Sequence, residues 1–547
     1  MLTGQIAQFQ RFDVYNNDAA NRQKRGGFYA QDTWRVTSKL TLDYGVRWDI
    51  IFPETVNTAG AGGFTDLQAG VIRVAGIGNV PTNGGASVDL LNLGGRFGFA
   101  YQVRPNTVIR GAVGQVYDDV GFFGTIFGSA LTHNVPVVNA ENQGSTSATA
   151  PLPFTYNTIP AQVPPIAIPA KGILPILNNI GYNVRPNRLP LPKVDQYNIS
   201  VQQALSSDTT VTIAYVGNVA EHIYPGETEG FNVNQPVLPT SPAQLADRDL
   251  RRPYFDKLAS GTCCSQDINS LAPAARANYN ALQTTVEKRF SHGLQLLGTY
   301  TWSKAMNYGS TYFANDPRVE YGPNDTNRNQ LFVASGMYEL PFGRNKMFLS
   351  NVNRPMNYLV GGWQIAATTT WESGLPFTPT YAECGEDQDI DTNSSNPGTS
   401  SDCRPNKTVG SLPMSVGSLN TSGGAPSRQF FTPVKAFGSN GSVSGLFARP
   451  AFGTFGNIGR NSFRGPSDYF ADATLFKNVD ITERVKAQFQ FQAFNVFNHV
   501  PLGVPNASNA RCIDCSDGGV ITNVDNAILG SGQPVMRQLQ FAARFTF

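Results

Sequence analysis

Apolar and polar residues alternate along most of this chain with a period of two. Leu40, Leu42, Tyr44, Val46, Trp48 and Ile50 fall on one side, and Thr41, Asp43, Gly45, Arg47 and Asp49 on the other. Successive side chains of a strand point to opposite faces, so this spacing predicts a β-strand with one greasy and one wet side. The same pattern predicts strands at 28–36, 96–103, 107–117, 196–205, 210–217, 282–290, 294–303, 331–340, 363–372, 469–478 and 485–497. It recurs at 537–547, where Leu539, Phe541, Ala543, Phe545 and Phe547 oppose Gln538, Gln540, Arg544 and Thr546. A less regular stretch at 5–15 brings the expected number to about fourteen.

The connections carry as much information as the strands. Tight turns are expected at 37–39, 104–106, 206–208, 291–293 and 480–483. Between those hairpins lie long polar stretches rich in Gly, Pro, Asn and Ser, at 52–93, 119–193, 220–276, 374–465 and 498–534. Short and long alternate, apart from 341–360, which is too long for a tight turn. Compact soluble domains rarely tolerate such long structureless loops. Outer-membrane barrels have short turns on one side and long loops on the other. The fold class read here is therefore all-β, an antiparallel transmembrane β-barrel with long extracellular loops.

Tryptophan placement agrees with that reading. Trp363 and Trp371 share a strand and a face, which separates them by about 20 Å along a membrane normal for a strand tilted near 40°. Trp34 lies beside a tight turn, and Trp48 and Trp302 near the far ends of their strands. Aromatic girdles at the two edges of an apolar band explain all five; core packing explains any one alone. The terminal strand adds Phe541, Phe545 and Phe547 as an aromatic face, expected to meet lipid and to serve as an assembly signal. A strand edge cannot be left open in hydrocarbon, so this strand must be captured and paired before release.

Composition narrows the class. Of 547 residues only 15% are charged, against a usual level near 25%, while 11% are aromatic and the mean hydropathy is −0.22. Strands that are half apolar and half polar give this balance. No run of about eighteen apolar residues occurs, so no transmembrane helix is expected. The net charge of +2 gives no reason to invoke nucleic acid. No signal-peptide pattern is visible in MLTGQIAQFQRFDVYNN at residues 1–17.

Candidate chemistry is sparse. His133, His222, His292 and His499 are scattered, and no catalytic or cofactor motif accompanies them. Asp387, Asp389 and Asp391 resemble the opening of a calcium loop, but Thr392 replaces the turn glycine and Gly398 the bidentate glutamate. A solvated acidic loop is the plainer reading. Cys384 and Cys403 flank it and staple it if oxidised. Cys512 and Cys515 form a second candidate bridge; a zinc site there lacks a second Cys pair and a nearby histidine. The neighbours Cys263 and Cys264 have no assignable partners. On the strand at 485–497, Gln488, Gln490 and Gln492 line one wall and Ala487, Phe489 and Phe491 the other. The loops are near neutral with interspersed aromatics, as at 121–127, compatible with glycan or peptide.

Several segments together resemble TonB-dependent receptor barrels. They are GFYAQDTWRVTSKLTLDYGVRWD (27–49), YNALQTTVEKRFSHGLQLLGTYTWSKA (279–305), FVASGMYELPFG (332–343), GGWQIAATTTWESGLPFTP (361–379), GNIGRNSFRGPSDYFADATLFKN (456–478) and FQAFNVFNH (491–499). The nearest subgroup is the large Oar-like receptors. The resemblance implies a barrel of about 22 strands around a plug, importing a large or scarce nutrient such as a glycan, peptide or metal chelate with energy passed through TonB. Neither plug nor TonB-contacting box is visible before Gly26. The whole of 1–547 therefore reads as the C-terminal barrel portion, without plug or N-terminal strands, and TonB would act only through that missing plug. The expected function is an outer-membrane transporter barrel, with lipid and the barrel-assembly machinery as its partners and no enzymatic activity or cofactor. A barrel-anchored surface or adhesion protein acting through its long loops is the alternative, and a soluble all-β binding protein a third.

Overall fold

The computed structural model describes residues 8–547 except 17, 118–135, 145–151, 153–154, 156, 160, 162–165, 177–179, 185–186, 224–230, 258–262, 271, 309–312, 314–315, 383–402, 422–425, 440, 483, 506–510 and 526–535. Thirteen long strands form one sheet. They are β1 (Arg25–Arg35), β2 (Leu40–Ile51), β3 (Asn92–Arg104), β4 (Thr107–Tyr117), β5 (Lys193–Ala204), β6 (Thr209–Ile223) and β7 (Ala275–Ser291). The series continues with β8 (Leu294–Tyr308), β9 (Gln330–Glu339), β10 (Trp363–Glu372), β11 (Asp468–Asp480), β12 (Lys486–Phe494) and β13 (Gln538–Thr546). Each pairs antiparallel with the next in chain order, and the short strand Tyr321–Pro323 adds to the edge of β8.

These are the strands that alternation predicts, with ends shifted by a few residues; the stretch at 5–15 is the exception. Gln8–Val14 is a strand, but it pairs with Val138–Gly144 in a separate sheet. The reason is in its sequence. Phe9, Arg11 and Asp13 share one parity, and Gln8, Gln10, Phe12 and Val14 the other, so it has no continuous apolar face to offer lipid.

Residues directly opposite each other in an antiparallel pair share a face. One row can be followed from Trp34 to Leu42, Phe99, Gly111, Ile199, Tyr215, Leu282 and Trp302. Tyr300, on the same face, continues to Phe332, Trp371 and Tyr469, and Leu475 faces Phe491 and then Phe541. A single apolar face thus crosses all thirteen strands. The first row starts beside a tight turn and ends near the opposite edge, which is the stagger that tilted barrel strands require. Two glycines fill places where aromatic rings lie flat on it. A Cβ on Gly111 would come within 2.5 Å of the Phe99 ring, and one on Gly217 equally close to Tyr197.

The tight turns share one edge of the sheet. His292 and Gly293 both have positive φ, 50° and 81°, the two-residue type I′ turn that matches strand twist. The long 340–362 connection is also on this edge and contains the helix Arg354–Val360, capped by Asn353 accepting from the Met356 amide at 3.0 Å. Among the described residues β1 and β13 do not pair with each other, so the sheet is open.

The long connections, expected as structureless loops, carry cores of their own. The first core gathers Ile72, Val74, Leu174, Tyr182, Val184 and Ile268 around the disulfide Cys263–Cys264. The second gathers Phe377, Tyr381, Phe431, Phe447, Ile513 and Ile521. Their apolar residues lie far apart in sequence, without a sustained period of two, and this hid them. No helix of the described residues is long and apolar enough to cross a membrane.

The two faces make opposite demands on a charge. Arginine at the middle of a lipid-facing strand costs about 2–4 kcal/mol, while a lumen position tolerates it. Ile213→Arg and Phe541→Arg are therefore expected to cut the amount of folded chain in membranes several-fold, and their neighbours Thr212→Arg and Gln540→Arg to leave it near wild type. Equal losses on both faces, measured by fractionation and heat-modifiable migration, would show that the apolar face does not meet lipid.

Candidate functional site

All five tryptophans lie on the apolar face. Trp34 and Trp363 occupy the tight-turn edge, and Trp48, Trp302 and Trp371 the other. Trp48 Nε1 donates to the Leu90 carbonyl at 2.7 Å and Trp363 Nε1 to that of Leu359 at 2.9 Å, so each indole has an apolar body and a satisfied polar end. Asp32 and Lys477 are among the charged residues that share this face. Asp32 accepts from the Tyr44 hydroxyl at 3.1 Å. The Lys477 ammonium lies 4.8 Å from the centre of the Trp363 ring and donates to the carbonyls of Leu359, at 3.1 Å, and Gly361, which turns it toward the edge. On β13, Phe541 and Phe545 pack edge-on against Phe491 and Phe489 of β12.

The opposite face is polar and internally hydrogen-bonded. Gln492, Gln490, Gln488 and Asn478 form a ladder with contacts of 3.1, 2.8 and 2.9 Å. Arg110 donates to Gln202 at 2.7 Å, Arg96 to Gln31, and Thr33 to Asp43 at 2.9 Å. The glutamines lie on the polar face, as their alternation with Ala487, Phe489 and Phe491 leads one to expect, and they spend part of their hydrogen-bonding capacity on one another.

A network that alternation could not reveal joins the long connections where they leave the sheet. The Glu320 carboxylate accepts from Arg404 and lies 3.9 Å from Arg460. Arg460 also reaches Asp325 at 2.5 Å and Asn307, on β8, at 2.8 Å. Nearby, Arg328 bonds Glu372 at 3.1 Å and Asp525, and Arg464 holds the carbonyls of Asn327 at 2.8 Å and Gly374 at 3.1 Å. Asp468 accepts from the Leu502 amide at 3.1 Å and faces the His499 ring at 3.3 Å. The connections β8–β9, β10–β11 and β12–β13 are thereby tied into one rim. Only the composition of NIGRNSFRG at 457–465, with two arginines among small residues, hints at it.

Cys512 and Cys515 are bonded to each other, as are Cys263 and Cys264. Cys512 and Cys515 lie with Asp514 in a group of metal-binding size, but an oxidised pair offers no thiolate. Cys403 is buried and disulfide-bonded, while Cys384 lies outside the described residues, as do Asp387, Asp389, Asp391 and the aromatic run 121–127. Of the histidines, His133 is also outside them, His222 ends β6, His292 is in a turn, and only His499 joins the rim.

Burial pushes the Glu320 carboxyl above its ordinary range, with Arg404 and Arg460 pulling the other way. A raised folded pKa contributes stability that is full below the unfolded value and fades as pH rises through the folded one. Glu320→Gln is expected to flatten the pH dependence of amide exchange protection at 317–330. Arg404→Met strands a buried carboxylate and should weaken that protection by about 3 kcal/mol at neutral pH. Protection unchanged in both variants would remove the rim's structural role.

The outer membrane beta barrel domain family matches residues 1–540. No curated protein matches the chain by sequence. Three solved structures are similar in fold. The ferric-catecholate import receptor Fiu from E. coli K12, in its closed form, is 11% identical, with 96% of this chain and 45% of that one covered and a TM-score of 0.38. The siderophore receptor PiuA from Acinetobacter baumannii is 9% identical, covering 97% and 44%, also at 0.38. The pyoverdine outer membrane receptor FpvA from Pseudomonas aeruginosa PAO1, bound to pyoverdine, is 9% identical, covering 96% and 42%, again at 0.38. The chain spans less than half the length of these structures. By its match over nearly all of its residues, and by a sheet that is greasy on one side and wet on the other, it belongs to the outer membrane beta barrel domain family.

Proposed function

We propose that this chain is the barrel portion of an outer-membrane nutrient receptor of the TonB-dependent kind. It binds solute through its long connections and passes it along the polar face. The observation that carries the reading is the single apolar face, continuous through thirteen strands, backed by a hydrogen-bonded polar face and topped on one edge by two cored units, the second of them tied to the sheet by a rim of ion pairs. An anchor alone needs the first of these features and not the others. In this reading Trp34, Trp48, Trp302, Trp363 and Trp371 are the girdles. Phe541, Phe545 and Phe547 present the strand that the assembly machinery captures, and Cys384 bridges Cys403. The chain performs no chemistry of its own, and TonB engages it through a plug.

Orientation is tested by labelling. The described cysteines are all oxidised, so a new cysteine at Thr240, in a long connection, or at Ser207, in a tight turn, is the intended target of an impermeant maleimide. Whole cells should label Thr240→Cys and spare Ser207→Cys; the reverse would overturn the topology.

Transport is tested in the native host with radiolabelled maltodextrins, peptides and ferric chelates. Uptake of one probe should fall to background when either this gene or the one for TonB is deleted. If gene deletion alters cell attachment and no uptake, the barrel is an anchor and the transport reading fails.

A further inference from the structure

Three short strands of the first outer unit run parallel: Gly63–Asp66, Ile180–Val184 and Ile268–Ser270. Val184 faces Thr65 on one side and Ser270 on the other. Thr65, Val184 and Ser270 thus lie side by side near the ends of the three strands. A cleft of about 480 Å³ opens there, lined by Thr65 and Asp66 on the first strand, Gln68 after it, Asn187 after the second, Ser270 on the third, and Tyr254. Crevices at the carboxyl ends of parallel strands are where open sheets bind ligands, and this volume is within the range of small-molecule sites.

We infer that this cleft is a binding site for a neutral sugar of one or two rings. The lining supplies hydroxyls from Thr65 and Ser270, carboxamides from Gln68 and Asn187, and the ring of Tyr254. That set matches a ligand with many hydroxyls and apolar C–H faces. The Thr65 hydroxyl is buried and has no hydrogen-bond partner among the described residues, a defect that a ligand hydroxyl would repair. Charge points the same way. Asp66 is committed, with Arg73 at 2.9 Å and the Ala69 amide at 3.0 Å. Among the described residues no lysine or arginine lines the cleft, and the adjacent Arg188 is paired with Asp89 at 2.8 Å. Of these residues an anionic ferric chelate would meet a carboxylate and no free cation. The inference rests on the receptor reading only in that the cleft must face outward to meet solute.

The test uses the full chain purified in detergent, with maltose and N,N′-diacetylchitobiose as sugar probes and ferric citrate as the anionic probe. Saturation-transfer NMR should show at least one disaccharide bound. Gln68→Ala combined with Asn187→Ala, both at exposed positions, should raise its Kd at least tenfold. Ala272→Trp, which fills the cleft, should abolish binding, with folding checked by heat-modifiable migration. If neither sugar binds, if the variants bind as wild type, or if ferric citrate displaces the sugar, the inference is wrong. Sugar binding by the purified chain without sugar uptake in cells would sustain this site and sink the transport reading. Uptake that survives Ala272→Trp, with no binding in detergent, would do the reverse.

Discussion

A backbone amide or carbonyl in hydrocarbon has no water to turn to, and each one left unpaired costs several kcal/mol. Every other feature of this chain is arranged around that constraint. Thirteen strands pair in chain order because sequential hairpins satisfy the backbone with the shortest connections. The strands tilt, so one row of facing residues drifts from Trp34 at the turn edge to Trp302 at the other. Among the described residues the outer edges of β1 and β13 are unpaired, and under the same constraint each would need a partner strand in a bilayer.

The membrane accounts for the middle of each strand and water for its ends. Several strands run well past the apolar band: β7 has 17 residues and β6 and β8 have 15 each. A transmembrane strand needs only about 9–11. The excess projects beyond Trp302 and Trp371 on the long-connection edge and gives the cored units a hydrogen-bonded base. There the chemistry changes from apolar contact to buried ion pairs. Such pairs are weak evidence for stability, because desolvation offsets their attraction, but they are specific about geometry. Glu320 between Arg404 and Arg460 tolerates one arrangement of the two connections it joins, whereas an apolar contact would tolerate several.

The strands and their faces were legible because alternation survives every detail of packing. Trp363–Glu372 and Thr107–Tyr117 were read to the residue. The stretch at 5–15 was misplaced because its parity is mixed, and the pattern gives no partner for such a strand. The outer cores were invisible for a different reason. Phe377, Phe431, Phe447 and Ile513 come together from four separated segments, and no local periodicity encodes that meeting. The rim was hidden likewise, since an arginine in a loop looks solvated until Glu320 is found beside it. Cys263 and Cys264 had no assignable partners because vicinal bonding is an unusual solution.

Cored connections change what the proposed receptor can be. A polar loop of ninety residues hung on a barrel would pay about 1–2 kcal/mol of backbone entropy for each residue ordered by a ligand. It would therefore bind weakly. Segments already packed around Ile72, Tyr182 and Ile268, or around Tyr381, Phe431 and Phe447, have met that cost in folding. In the proposed receptor they would meet solute as a surface of fixed shape, and a cleft such as the one off the three parallel strands would keep its hydroxyls and amides in place before anything arrives. On that proposal the barrel face decides where the protein resides, and the cored connections decide what it recognises.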